Sequence, residues 1–341
     1  MSTIGLRTTG AATLMTAALA LSACGSSSDA NSADEGSGDA AFPVTIDSSL
    51  GEATIEEKPE KVVTLGQGST ETAIALGTTP VGMEEYEWAA DETGYLPWIH
   101  EAVKEEGETL PTFVGAGEKL DMEQIVELEP DVILAPWSGL TQEQFDSLSA
   151  IAPTVGYPDK AWSVDWDQQI EIIGTALGEE KEATGLITDL EEQLATEAKK
   201  HPEWAEHTFS YVYTTPDTLG VFLPDEQRAA IVRKLGLTID PAVTTMKETE
   251  GTDSAVIGYE NADKLNDSDL IFTFYSDPKA KEQAMGNELY AQIPAIKKGA
   301  VVASTDNAFV TASSMINPLT VPYTLERYGP MIDEAVAEAA K

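Results

Sequence analysis

The chain has 341 residues, 42% of them hydrophobic, and 59 acidic side chains against 20 basic ones give a formal net charge of −39. That length admits two medium domains and that hydrophobic share a real core. A surface so acidic argues against nucleic acid as a partner and against adsorption to anionic lipid.

In chain order, the first feature is an apolar and small-residue run from Gly10 to Ala20, preceded by Arg7 as the only charged residue before position 29. A bilayer needs ~20 apolar residues, so the run is too short to span one and fits a secretory leader. It ends in Leu21-Ser22-Ala23-Cys24, and Cys24 is the only cysteine, which excludes an internal disulfide. This segment resembles a bacterial lipoprotein signal, with a weak basic region as its one departure. The resemblance implies cleavage of residues 1–23 and acylation of Cys24. Residues 24–41 then read as a tether, because Gly25 to Ala41 holds only Gly, Ser, Ala, Asp, Glu and Asn and has nothing to bury. No later run is long enough to cross a membrane, so attachment by lipid alone is expected.

From Phe42 onward short β-branched strands alternate with amphipathic helices, an α/β pattern. Lys61–Leu65 reads as a strand and Ser69–Leu76 as a helix stopped by Gly77. Met122–Leu128 is a helix before Pro130, and Asp131–Ala135 a strand. Thr141 and Gln144 form a capping box for a helix to about Ala150, and Thr154–Tyr157 is extended. Two helices follow back to back, Val164–Leu177 and Glu180–Lys199. The second carries a narrow stripe of Leu186, Leu190 and Leu194 on an otherwise acidic surface, the pattern of a rigid connector at the midpoint of the chain. Strands at Phe209–Thr214, Leu270–Phe274 and Val301–Ser304, and helices at Asp225–Leu235 and Pro318–Ala339, repeat the theme. A weak echo relates Glu123-x4-Leu128 before DVIL to Glu260-x4-Leu265 before DLIF, although any helix–turn–strand unit looks much like this.

Three stretches taken together, PEKVVTLGQGSTETAIALGTTPVGM, LDMEQIVELEPDVILAPWSGLTQEQFDSLSAIAPTV and YENADKLNDSDLIFTF, resemble the periplasmic-binding proteins for siderophores, haem and cobalamin. The likeness covers about residues 55 to 335, and GYLPWIHEA and HPEWAEHT bring it nearest the iron–siderophore branch. It implies two Rossmann-like lobes joined by one long rigid α-helix, with the ligand cleft between them. The expected division is 42–178 for the N-terminal lobe, 179–200 for the connecting helix and 201–341 for the C-terminal lobe. The implied role is capture of a ferric siderophore and its delivery to the permease of an ABC importer, as a monomer, without catalysis or cofactor. The resemblance also implies one permease-docking glutamate per lobe, at Glu123 and Glu260. Each begins a short helix, where the dipole alone favours a carboxylate.

Ligand contacts are sought among aromatics outside regular periodicity: Tyr86, Trp88, Trp98, Trp137, Trp162, Tyr213 and Tyr275, with Trp166 weaker because it opens a helix. Beyond the leader there are only three arginines, Arg228, Arg233 and Arg327, and Arg228 matches a siderophore-facing arginine in this branch. So few cations suit a neutral ferric hydroxamate better than a triply negative catecholate. Haem would need an axial ligand such as His100, since His201 and His207 flank a polar surface segment. Three scattered histidines leave no metal site expected. Enzymatic motifs are missing: there is no GxSxG, no HExxH, and Gly66-Gln67-Gly68 lacks the third glycine of a dinucleotide loop. A cobalamin carrier, or a lipid-anchored sensor or adhesion protein on the same fold, remains an alternative.

Overall fold

The computed structural model describes residues 42–250, 252 and 254–341. The expected leader, the tether and Cys24 lie outside the described residues. Among those described, no helix is long and apolar enough to cross a membrane.

The chain opens with a hairpin that the sequence reading did not resolve. Strands β1 (Val44–Ser48) and β2 (Gly51–Ile55) pair antiparallel with Ser48 opposite Gly51. Val44, Ile46, Ala53 and Ile55 are turned inward and pack on the main core, the period-two pattern of a half-buried ribbon.

Five short parallel strands follow: β3 (Val62–Thr64), β4 (Gly82–Met83), β5 (Thr112–Phe113), β6 (Val132–Leu134) and β7 (Thr154–Val155). Their order across the sheet is β5-β4-β3-β6-β7. The helices between them are α1 (Ser69–Ala75), α2 (Pro97–Glu106), α3 (Met122–Leu128) and α4 (Gln142–Ser149). Local chemistry sets their ends. Gly77 stops α1 in the left-handed region, Asp121 accepts the Gln124 N–H at the start of α3, and Thr141 with Gln144 closes the expected capping box on α4. Val62, Val63, Ile133 and Leu134 are wholly buried, as both-sided coverage of a parallel sheet requires.

Helix α5 (Trp166–Leu177) leads into α6 (Glu180–Lys200), the longest helix described at 21 residues. Helix α6 buries Ala183, Leu190 and Leu194, and touches α5 on the side of the first sheet and the helices Gln227–Lys234 and Thr320–Ala339 on the side of the second. It is the expected connector, one residue longer than its sequence boundary.

The second sheet has six strands: β8 (Thr208–Thr214), β9 (Leu219–Phe222), β10 (Thr238–Ile239), β11 (Ser254–Val256), β12 (Leu270–Phe274) and β13 (Val301–Ser304). The order is β11-β9-β8-β12-β13, with β10 beside the amino end of β8. Strands β10, β12 and β13 run parallel with β8 while β9 and β11 are antiparallel additions. The accompanying helices are α7 (Gln227–Lys234), α8 (Pro278–Met285), α9 (Glu288–Ala291), α10 (Pro294–Lys298), α11 (Asn307–Ala312) and α12 (Thr320–Ala339). Helix α7 starts later than the sequence pattern places it. Glu226 takes the cap position, its carboxylate accepting the Arg228 N–H at 2.9 Å, which puts Arg228 in the first turn.

Both sheets share one topological device. In the first, chain order runs outward from β3 to β4 and β5, then reverses to β6; in the second, β8 is flanked by β10 on one side and β12 on the other. Ligands of open α/β sheets settle at the carboxyl ends of the strands where the order reverses. The echo between Glu123–Leu128 and Glu260–Leu265 acquires a structural meaning here, because the strands they precede, β6 and β12, are the ones across the reversal in each sheet.

Candidate ligand-binding site

At the reversal of the first sheet, the loops after β3 and β6 lie in direct contact. A Cβ on Gly66, which has φ +73°, would drive into the Trp137 carbonyl oxygen, so only glycine lets these loops meet. Glu84, just past β4, ties the neighbourhood together: its carboxylate accepts the Gly66 N–H at 2.7 Å and the Gly117 N–H at 3.0 Å. Gln169 of α5 donates to the Gln67 carbonyl at 2.7 Å from behind. The Gly66 backbone against which the Trp137 carbonyl rests is thus held by Glu84, and its neighbour Gln67 by Gln169.

Trp137 meets Trp162 edge to face, with ring centroids 4.8 Å apart. Trp162 comes from the loop after β7 and lies directly over Gly139, where any side chain would strike the indole. It also holds φ +61°, a left-handed conformation that bulky residues rarely adopt, while leaving 47% of its surface exposed. A strained backbone that displays a large apolar ring to solvent makes the position a candidate for ligand contact. The two indoles form a shelf at the reversal.

The second sheet offers the complementary wall. Tyr211, Tyr213, Phe222, Phe272 and Phe274 make a continuous run of ring contacts across β8, β9 and β12. The Arg228 guanidinium stands over this run, 4.6 Å from the Phe222 centroid and 5.9 Å from that of Phe274. It is also ion-paired with Glu226. Tyr213 is fixed by its hydroxyl on Ser254 Oγ at 3.1 Å.

The two carboxyl edges are registered by contacts on both flanks. On the β4 side, Ile74, Met83, Leu96 and Trp98 pack with Ala312 and Met315 beyond β13, and Trp98 meets Tyr323 of α12 at 5.3 Å. On the β7 side, Lys160 pairs with Glu248 at 3.4 Å, reaching the loop before β11. Trp137 follows β6, between these flanks, while Trp162 shares the loop after β7 with Lys160 and Arg228 stands in the first turn of α7.

Not every residue singled out from the sequence reaches this gap. Trp98 is 4% exposed and buried in the β4-side contact, its indole N–H donated to Glu71 at 2.8 Å. Helix α2 was not foreseen, and in its first turn the indole turns inward. Tyr275 is likewise 4% exposed, with its hydroxyl on that of Tyr290 at 3.1 Å, because it stands on the opposite face of β12 from Phe274. Tyr86 lies in the loop after β4 with its hydroxyl enclosed, and burial first, then the Glu84 and Glu71 charges, push its pKa well up. Trp88 is 49% exposed on the same loop. Trp166 is buried at the head of α5, as helix packing predicts. Phe222 and Phe274 are not singled out by the sequence; their adjacency to Arg228 arises only from the sheet order. Glu123 and Glu260 are both exposed in the first turn of α3 and of the short 3-10 helix Tyr259–Leu265. His100 sits on α2, its ring 6.3 Å from that of Tyr95, rather than at the shelf.

Glu71 is a buried carboxylate beneath the β4-side flank, and burial raises its pKa despite the opposing Trp98 hydrogen bond. With the folded value raised, the folded state holds the proton more tightly, and stability falls as pH rises from the ordinary 4.5 through the raised value. Glu71→Gln keeps an acceptor for Trp98. It should melt higher than the parent at pH 8, and the gap should close as pH falls toward 4.5 in a thermal series.

Comparison with known proteins gives the following. The family model described as periplasmic binding protein matches residues 62–308. The ferric enterobactin-binding periplasmic protein FepB of Escherichia coli is 26% identical over 287 residues, covering 79% of this chain and 86% of that one. The probable siderophore-binding lipoprotein YfiY of Bacillus subtilis is 25% identical over 283 residues, covering 80% and 83%. Among solved structures, Streptococcus pneumoniae PiaA in complex with ferrichrome superposes with a TM-score of 0.78 at 32% identity, over 86% of this chain and 99% of that one.

Proposed function

The chain belongs to the periplasmic binding protein family, and from that premise we propose that it captures a ferric siderophore, preferably a hydroxamate, and hands it to the permease of an ABC importer. The observation that carries this reading is the edge-to-face pair of Trp137 and Trp162 at the strand reversal of the first sheet. Such an aromatic surface offers flat contact to the body of a chelate, and a chain with three arginines beyond its leader offers little field to attract three negative charges. The likeness to a ferrichrome-bound protein supports the same class, ferrichrome being a hydroxamate. The division into lobes 42–178 and 201–341 about a connector at 179–200 belongs to this reading, as do the monomeric state and the lipid anchor on Cys24. A relative named as a lipoprotein supports the anchor.

Titration of tryptophan fluorescence with a ferric trishydroxamate, a ferric catecholate, ferric citrate and haemin tests the proposal. Saturable quenching by the hydroxamate alone is expected. Saturation by no iron chelate would remove the cargo assignment, and saturation by haemin alone would move attention to His100.

Delivery is tested separately. The double variant Glu123→Ala, Glu260→Ala should lose most uptake of labelled siderophore into cells while its affinity changes less than about twofold, because both carboxylates are exposed and outside the gap. Undiminished uptake would show that these glutamates act only as favourable first-turn charges.

A further inference from the structure

Away from the gap, His201 follows the last turn of α6 and lies flat on Trp204, with centroids 4.1 Å apart and 10° between the ring planes. The stack fixes where its two nitrogens point. Nε2 faces Glu197, one turn back on α6, at 3.6 Å. Nδ1 faces Asp333 of α12 at 3.2 Å and Glu203 at 3.6 Å. Trp204 holds Asp333 as well, donating its indole N–H to Oδ1 at 2.9 Å. One donor atom from each of His201, Glu203 and Asp333 lies within 4.8 Å of the others. His201 and Asp333 also line an open surface cavity of about 460 Å³ together with Glu197 and Lys200.

These separations have a coordination meaning. Ligands ~2.0–2.2 Å from a tetrahedral zinc ion stand roughly 3.3–3.6 Å from one another, and the two measured edges at Nδ1 bracket that range. A carboxylate on the far nitrogen, here Glu197, is the usual orienting partner of a metal-bound imidazole. The nearby ammonium of Lys200 is engaged by Glu197 at 2.6 Å. We propose that His201 Nδ1, Asp333 and Glu203 form a surface site for a divalent transition metal of the zinc class, with water in the fourth position. The ion would brace the end of the connecting helix against the C-terminal helix, and it is separate from any iron cargo.

The test is equilibrium dialysis of the metal-stripped full chain against zinc chloride, in a Cys24→Ser background so that no thiolate competes. One zinc per chain is expected. His201→Gln and Asp333→Asn should each weaken it at least tenfold, whereas Glu182→Gln, an exposed carboxylate elsewhere on α6, should not. Asn at 333 keeps an acceptor for Trp204, and Glu203→Gln alters an exposed side chain, so Glu203→Gln decides the matter if either of the other variants melts below the parent. Failure to retain zinc, or equal retention by His201→Gln and Glu203→Gln, would overturn the site and leave an ion-paired imidazole on an acidic surface.

Discussion

Trp137→Ala should weaken capture of a ferric trishydroxamate by about thirtyfold or more. Truncating a well-packed tryptophan anchor costs ~2 kcal/mol or more of binding, and this indole occupies the strand reversal with its backbone tied to Gly66 and its edge against Trp162. Removing it also takes the edge-to-face contact from Trp162. Gly66→Ala should act in the same direction without touching either indole, since the new methyl must displace the Trp137 carbonyl. Equilibrium dialysis of the iron chelate measures both. A loss below threefold for Trp137→Ala would mean that the shelf is not where the ligand rests.

Trp204→Ala should be the most destabilising single change, at about 3–5 kcal/mol. Its side chain is completely buried ahead of β8, stacked on His201 and bonded to Asp333. Truncation opens a cavity in the main core, where α6 and the second sheet meet, and leaves Asp333 without its donor. Against a typical total of ~5–15 kcal/mol that is a large share. Urea denaturation read by far-UV circular dichroism gives the difference directly, and a cost below ~1 kcal/mol would contradict the packing. The folded fraction should still bind ligand normally, because Trp204 stands at the amino end of β8, away from the gap.

Much of this architecture was legible in the sequence because its signals are local. Asp121, Thr141 with Gln144, Gly77 and Gly178 announce helix ends within a few residues, and the helices they bound stand where expected. The stripe on α6 was legible for the same reason: Leu190 and Leu194 recur on one helical face and are buried there. Two-residue strands such as β4 and β5 carry no period and are strands only because β3 lies beside them. The β1–β2 hairpin did carry an alternating pattern, in Val44, Ile46, Ala53 and Ile55, and was legible in principle. The site divides along the same line. Trp137 was identifiable from its place directly after a strand, but its partnership with Trp162 depends on the order of β6 and β7. Trp98 misled because a first-turn residue of α2 can face inward or outward, and no local rule says which. His201 and Asp333 meet only because α6 and α12 pack together, which is why the histidines looked scattered.

The two flanks on which the halves meet are built from unlike materials. On the β4 side the halves adhere through an apolar patch centred on Trp98 and Met315, where each buried side chain contributes ~1.5–3 kcal/mol regardless of salt. On the β7 side an exposed ion pair spans the halves, Lys160 with Glu248, a kind worth less than ~1 kcal/mol and weakened by every added ion. Added salt or removal of either charge therefore acts on the Lys160–Glu248 contact and leaves the patch around Trp98 untouched.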